Sequence, residues 1–355
     1  MPSYPNVIDL PVNLRHLGGG TIKRGARAAA CVVNSMAVDD SIPTPVRPET
    51  LAIDNFVQHP DFFKRLLDAL YEGVYFVDTQ RRITYWNRAA HHISGYSADE
   101  VVGHYCQDNI LNHVDEAGSQ LCFGKCPLVT SVESGLPHEC ELYLHHKLGH
   151  RVPVRVRVTP IRDARGKIIG AIEMFVETGS AKQHGQHLDH LRSRGFLDPL
   201  TESGNRRYLE IELFKALQDF RQHGLPFGAI LADIDHLRII NEHYGHTVGD
   251  QALRAVSQTM AAAVGDSDIF GRWSVDEFLI LIPNPSVEHI GDIAERCRAL
   301  VERAAIKIGP DNVAMTISAG AAAVDPLDTM EMFVRRLENL LQRSKYAGRN
   351  RVTTK

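Results

Sequence analysis

At 355 residues the chain is longer than one hydrophobic core usually serves, so two domains and a connection are expected. Hydrophobic residues at 44% and charged residues at 23% exclude a disordered chain, and a formal net charge of -4 excludes the basic field that nucleic-acid binding needs. No apolar run approaches the ~20 residues that cross a bilayer, which points to a cytoplasmic protein without a membrane partner. Six cysteines are too sparse for a disulfide scaffold, yet Cys106, Cys122 and Cys126 crowd into one stretch, as thiols gathered for metal or redox chemistry do.

Residues 1–60 lack periodicity and contain Gly18-Gly19-Gly20, several prolines and a basic tract at Lys23 to Arg27, so disorder is expected there, with Met36 an alternative start. Residues 61–177 follow as a first domain. Phe62, Phe63, Leu66, Leu67 and Leu70 recur at helical spacing, Gly73 to Asp78 and Ile83 to Asn87 read as strands, and Cys140–Leu144, Val152–Thr159 and Ile168–Val176 alternate as three antiparallel strands. Between the first two of these three, His145-His146-Lys147 and His150-Arg151 read as a polar turn facing solvent. Residues 178–197 are polar and His-rich, with the sparse Leu188 and Leu191 marking a helical linker.

Residues 198–355 form the second domain. Arg206–Gln222, Gly249–Val264, Val287–Ala304 with Ser286 as N-cap, and Thr329–Tyr346 are expected helices. Phe227–Asp233 is an apolar strand ending in Asp233 and Asp235, Ile269–Arg272 and Phe278–Ile282 flank the polar hairpin Ser274 to Glu277, and Val313–Ala322 is a further strand. The whole reads as α+β, the second half as a ferredoxin-like palm. Strands lying side by side would bring Asp233, Asp235, Asp276 and Glu277 together, and magnesium takes one or two carboxylates plus substrate phosphates. Lys345 and Arg349, spaced one turn apart, would neutralise a triphosphate from the other side.

The first domain, through "GVYFVDTQRRITYWNRAAHHISGYSADEVVGHYC", resembles a PAS sensor, a five-stranded sheet with helices around a ligand or cofactor cavity. The second resembles a GGDEF domain through the ordered motifs "DPLTESGNRR", "ADIDHLRIINEHYGHTVGD", "RWSVDEF" and "SKYAGRN". That family condenses two GTP molecules into cyclic di-GMP and pyrophosphate, one GTP per half-site of a homodimer. The resemblance implies that Asp233, Asp276 and the carbonyl of Ile234 contact Mg2+, with Glu277 a further acidic participant, and that Asp276 or Glu277 helps deprotonate the 3'-hydroxyl. It implies that Asn241 and Asp250 bond the guanine edge and that Arg238, Lys345 and Arg349 serve the phosphates.

The chain departs from the family where the signature's two glycines are Ser274 and Val275. A primed two-residue turn would hold Val275 at positive φ for about 1 to 3 kcal/mol, unless the turn changes type. Glu202 and Ser203 stand in place of glycine and a leucine that lines the guanine pocket, Arg238 replaces a lysine, and Gly265-Asp266-Ser267-Asp268 replaces the product-inhibition motif. Two readings follow: a PAS-regulated diguanylate cyclase, or a catalytically impaired module that binds GTP or a downstream protein partner. In the sensor, Cys106, His113, Cys122 and Cys126 offer ligand types for zinc, iron or an iron-sulfur centre, set against buried or exposed thiols with no metal.

Overall fold

The computed structural model describes residues 61–108, 110–178 and 195–355. The N-terminal segment and residues 179–194, which include most of the expected linker, lie outside the described residues.

The first layer begins with α1 (Phe62–Asp68), β1 (Gly73–Asp78) and β2 (Ile83–Trp86), followed by α2 (Arg88–Ser94), α3 (Ala98–Val101) and α4 (Pro127–Ser134). It closes with β3 (His138–His145), β4 (Arg151–Arg162) and β5 (Ile168–Glu177). The five strands pair antiparallel in the order β2-β1-β5-β4-β3. Alternation drives β4 onto the core: Val152, Val154, Val156 and Val158 are buried, while Arg155 and Arg157 point to water. Tyr75, Trp86 and Phe175 cluster beneath the sheet with ring centroids 5.3 to 6.2 Å apart. Asn87 fixes the corner after β2, accepting from Ala90 N to cap α2 and from Val74 N, and donating to Leu67 O and Glu72 O.

The second layer contains α5 (Arg206–His223), β6 (Phe227–Ile234), α6 (Leu237–Tyr244), α7 (His246–Ala263), β7 (Ile269–Arg272) and β8 (Glu277–Pro283). It continues with α8 (Val287–Glu302), β9 (Ala305–Ile308), β10 (Asp311–Ala314), β11 (Ile317–Ala323), α9 (Met330–Tyr346) and β12 (Val352–Thr354). Its main sheet runs β12-β11-β6-β8-β7, antiparallel except for the β11–β12 pair. Every residue of β6 is buried, because α6, α7 and α8 cover one face of the sheet and α5 and α9 the other. Ser286 caps α8 by accepting from His289 N at 3.1 Å.

Three expectations change. The run Val313–Ala322 is two strands, since residues through Ala314 pair with β9 in a separate hairpin and only Ile317 onward joins the main sheet. Leu237–Tyr244 is a helix of its own, cut from α7 by Gly245 at φ 87°. Arg349 lies past the end of α9, in the left-handed region at φ 62°, so it and Lys345 are not one turn apart on a helix.

Candidate functional site at the carboxylate end of the second sheet

The end of β6 and the start of β8 lie side by side: Asp233 faces Glu277 in register, and Ile234 N donates to Asp276 O at 3.1 Å. Asp233 is buried, and Lys345 Nζ from α9 sits 2.7 Å from its Oδ2. Burial pushes the Asp233 carboxyl up to about 6, with Lys345 opposing the rise and Asp276 and Asp235 adding to it. Glu277 is raised by burial and by its neighbours Asp233 and Asp276, with Lys345 opposing the rise. Negative charge is therefore crowded here, and a lysine ammonium already occupies one lobe of Asp233.

Among the described residues, no three histidine, cysteine, aspartate or glutamate side chains stand where they would hold a metal ion together. The expected magnesium set of Asp233, Asp276 and Glu277 around the Ile234 carbonyl is thus not assembled as three carboxylates on one ion. Two carboxylates and a carbonyl nevertheless suit magnesium, which keeps several waters and takes substrate phosphate oxygens as ligands. The cation already drawn to Asp233 shows that the donor set fits a positive charge.

Asp235, grouped with these acids on sequence position, serves differently. It is 4% exposed and accepts from Thr316 Oγ1 at 2.8 Å, Ser318 Oγ at 2.7 Å and Asn350 N at 3.0 Å. With its oxygens so engaged it ties β6, β11 and the chain after α9 into one corner.

The hairpin tip settles how the chain accommodates Ser274 and Val275. Neither has a positive φ. The turn has changed type: Trp273 N and Ser274 N both donate to Glu277 O, at 2.8 and 3.2 Å. Arg272 then grips the tip, its Nε and Nη2 donating to Val275 O at 3.2 and 2.5 Å, while Nη1 pairs with Asp198 at 3.2 Å. The backbone strain sits elsewhere, at Glu202, where φ is 55° and the family has glycine. Gly271 and Gly204 are pressed so close that a Cβ on Gly271 would collide with the Gly204 carbonyl.

A cavity of about 390 Å3 opens beside the tip, lined by Leu237, Arg238, Asn241, Glu242, His246, Val275 and Asp276. Asn241 is held over α7, where any side chain at position 249 would displace its amide. Asp250 does not line this cavity. Ser203 turns inward to Thr201 Oγ1 at 2.9 Å instead of replacing a leucine in the pocket wall. Arg238 is exposed and paired with Glu242 at 2.7 Å, and Arg349 is exposed.

Residues 195–351 match the family model "Diguanylate cyclase, GGDEF domain", and residues 67–183 match "PAS fold". The chain carries a PAS fold followed by a GGDEF domain. Diguanylate cyclase DgcP of Pseudomonas aeruginosa is 30% identical over 172 residues, 48% of this chain and 26% of that protein. Response regulator PleD of Caulobacter vibrioides is 30% identical over 230 residues, 58% of this chain and 50% of that protein. The crystal structure of the coiled coil and GGDEF domain of DgcB from Caulobacter crescentus, in complex with c-di-GMP, is 27% identical with a TM-score of 0.45, covering 49% of this chain and 93% of that one. This chain spans at most half the length of these two curated relatives.

Within the PAS fold, the expected ligand set Cys106, His113, Cys122 and Cys126 does not form a metal site. All four are buried: Cys122 lies against the main chain of His113, Cys126 precedes α4 as its N-cap residue, and His113 Nε2 faces Glu173 Oε1 at 3.7 Å. Burial also holds Cys106 and Cys122 as thiols, Cys122 pushed up to about 11. The expected solvent-facing turn is likewise overturned, because Arg151 is 1% exposed.

Sequence reasoning missed Arg272, Asn350 and Glu173. The first two stand inside the quoted motifs, two residues before the Ser-Val pair and just after Arg349. Glu173 was detectable as an acid in the middle of the apolar run of β5.

Proposed function

We propose that the chain is a PAS-linked diguanylate cyclase, condensing two GTP molecules to cyclic di-GMP and pyrophosphate in the cytoplasm, as a homodimer of facing half-sites. The observation that carries this reading is the Asp233–Lys345 pair beside Asp276, which together with Asn241 lines the cavity. Asp233, Asp276 and the Ile234 carbonyl would hold Mg2+, which when bound neutralises triphosphate charge. Lys345 exchanges its carboxylate for a phosphate oxygen as nucleotide enters, and Arg238 and Arg349 reach phosphates from exposed positions. Asn241, with Asp250 from the next helix, bonds the guanine edge. Glu277, whose carboxyl has a raised affinity for protons, takes the proton of the attacking 3'-hydroxyl.

The unstrained tip supports turnover, since Asp276 is reached without forcing Val275 into the left-handed region. Incubating the full chain with GTP and Mg2+ should yield pyrophosphate and cyclic di-GMP in a 2:1 ratio. Absence of both would sink the catalytic reading.

A second reading, GTP binding without turnover, is favoured by Val275, whose side chain is 72% exposed on the cavity rim where the family has no Cβ. It predicts GTP affinity by calorimetry with no pyrophosphate release and leaves signalling to a downstream protein partner. In either case the PAS fold supplies the input. A zinc, iron or iron-sulfur centre on Cys106, His113, Cys122 and Cys126 is the sensor's proposed cofactor in this reading, and metal analysis of the purified protein tests it.

A further inference from the structure

The described residues of the PAS fold and the GGDEF domain belong to one compact unit, and the seam between them is tightly built. Arg151, first residue of β4, is fully buried. Its Nε donates to Arg303 O at 3.0 Å, Nη2 donates to the same carbonyl, and Nη1 donates to Asn112 O at 2.6 Å. Its backbone N donates to Thr259 Oγ1 on α7 at 3.2 Å. Arg303 is the C-cap of α8, so the buried guanidinium rests against the negative end of a 16-residue helix. Arg303 answers in the other direction, its Nε donating to Gly118 O at 2.9 Å.

The backbones on both sides meet without room to spare. A Cβ on Gly118 would stand 2.8 Å from Ala299 O, and one on Gly149 would stand 2.8 Å from Ala305 O. His145 Nε2 lies 3.1 Å from that same Ala305 carbonyl, and Val114 is fully buried in the cyclase core.

The last turn of α8 also reaches the carboxylate end. Asn350 Nδ2 donates to Glu302 Oε1 at 2.8 Å, and Arg298 Nη1 donates to Asn350 Oδ1 at 2.8 Å. Asn350 N donates to Asp235 Oδ2, two residues along the chain from Asp233.

We infer that the PAS segments 112–118 and 145–151 form a docking face for the C-terminal turn of α8, and that docking sets the Glu302–Asn350–Asp235 corner that positions the site acids. Asn350 acts as a positioning residue, since it reaches the site acids through Asp235. The two states are docked and released, and the element that distinguishes them is the α8 C-cap, whose carbonyl has a guanidinium partner in one state and water in the other. His113, which faces Glu173 in the sensor interior, adjoins Asn112 and Val114 in this face, so a change inside the PAS fold has a route to the cap that bypasses residues 179–194.

The test uses hydrogen–deuterium exchange on the full chain and does not rest on the cyclase reading. Arg151→Met keeps most of the volume and removes the donors. Faster exchange is expected at 299–306, about tenfold for the loss of hydrogen bonds worth ~1.4 kcal/mol, together with a rise of several-fold at 348–352 around the Asn350 amide. Helix α5, remote from the seam, reports misfolding. If its exchange also rises, the isosteric Thr259→Val on the cyclase side replaces Arg151→Met and must give the same paired rise. Unchanged exchange at 299–306 overturns the docking face, and a rise there with none at 348–352 overturns the coupling.

Discussion

The two halves of the molecule each bury an acid, and they treat it differently. Asp233 of the GGDEF domain sits beside Asp276 with Lys345 on one oxygen, and its carboxyl rises to about 6. Glu173 of the PAS fold is fully buried, both oxygens lack a hydrogen bond among the described residues, and burial pushes it up to about 8, with the nearby Tyr75 working against the rise. Near it, His113 Nε2 and Tyr75 Oη also lack a hydrogen bond among the described residues, and burial presses His113 down to about 3. Near neutral pH this cluster is mostly uncharged, whereas the Asp233 site is built around opposite charges. An acid with a lysine on it is ready to exchange that cation for another, while an acid kept protonated in a core changes state only when the core itself changes.

The sharpest test of that contrast is pH. For Glu173 the folded value lies above the unfolded one, so the folded state holds the extra proton and stability falls as pH rises from about 4.5 to about 8. The sum is roughly 3 to 5 kcal/mol over that window. Neutral His113 works oppositely, removing stability as pH falls from about 6.5 toward about 3. Scanning calorimetry of Glu173→Gln against the parent, from pH 5 to 8.5, should show the parent losing ground steadily as pH rises. Parallel curves would mean that Glu173 is ionised in the folded protein.

On the GGDEF side, Asp233→Asn should weaken Mg2+-dependent GTP binding by about a hundredfold, because it removes one of two carboxylates and leaves Lys345 without its partner. In the parent the same affinity should decline as pH drops through about 6, where Asp233 takes up its proton. Titration calorimetry at pH 5.5 and 7.5 reads both. An affinity independent of pH would place the metal elsewhere.

Arg272→Ala should cost about tenfold in the same affinity, through loss of the two donors to Val275 O and of the pair with Asp198. The conservative Arg272→Lys, which lacks the fork, should recover little of it. Full recovery in the lysine variant would reduce Arg272 to a charge near Asp198.

How much of this was legible in the sequence follows from the same contrast. The strands and long helices were, because alternation in β4 and 3.6-residue spacing in α5, α8 and α9 are local signals that burial enforces. The proximity of Asp233, Asp276 and Lys345 was legible through motif order. The turn of Ser274 and Val275 was left between two outcomes, since its choice depends on Arg272 and Asp198, the latter 77 residues before Val275 in the numbering. Arg151 was misread as a solvent-facing turn residue because its acceptors belong to Arg303 and Asn112, far away in sequence. The partner of His113 in the sensor, Glu173, lies 60 residues on and is not encoded by the spacing of the cysteines.

Val275→Gly should have the smallest effect on stability, within about 1 kcal/mol. A strained valine would be relieved by glycine, and stability would rise by the strain released. Here Val275 has an ordinary φ and an exposed side chain, so glycine relieves nothing and instead loosens the unfolded chain, a destabilisation of about 0.5 to 1 kcal/mol. Pyrophosphate release is a separate readout, because it responds to the isopropyl group on the cavity rim and not to the backbone. Faster release together with slightly lower stability would assign Val275 a steric role toward nucleotide, whereas a rise in melting temperature would show that the tip stores strain after all.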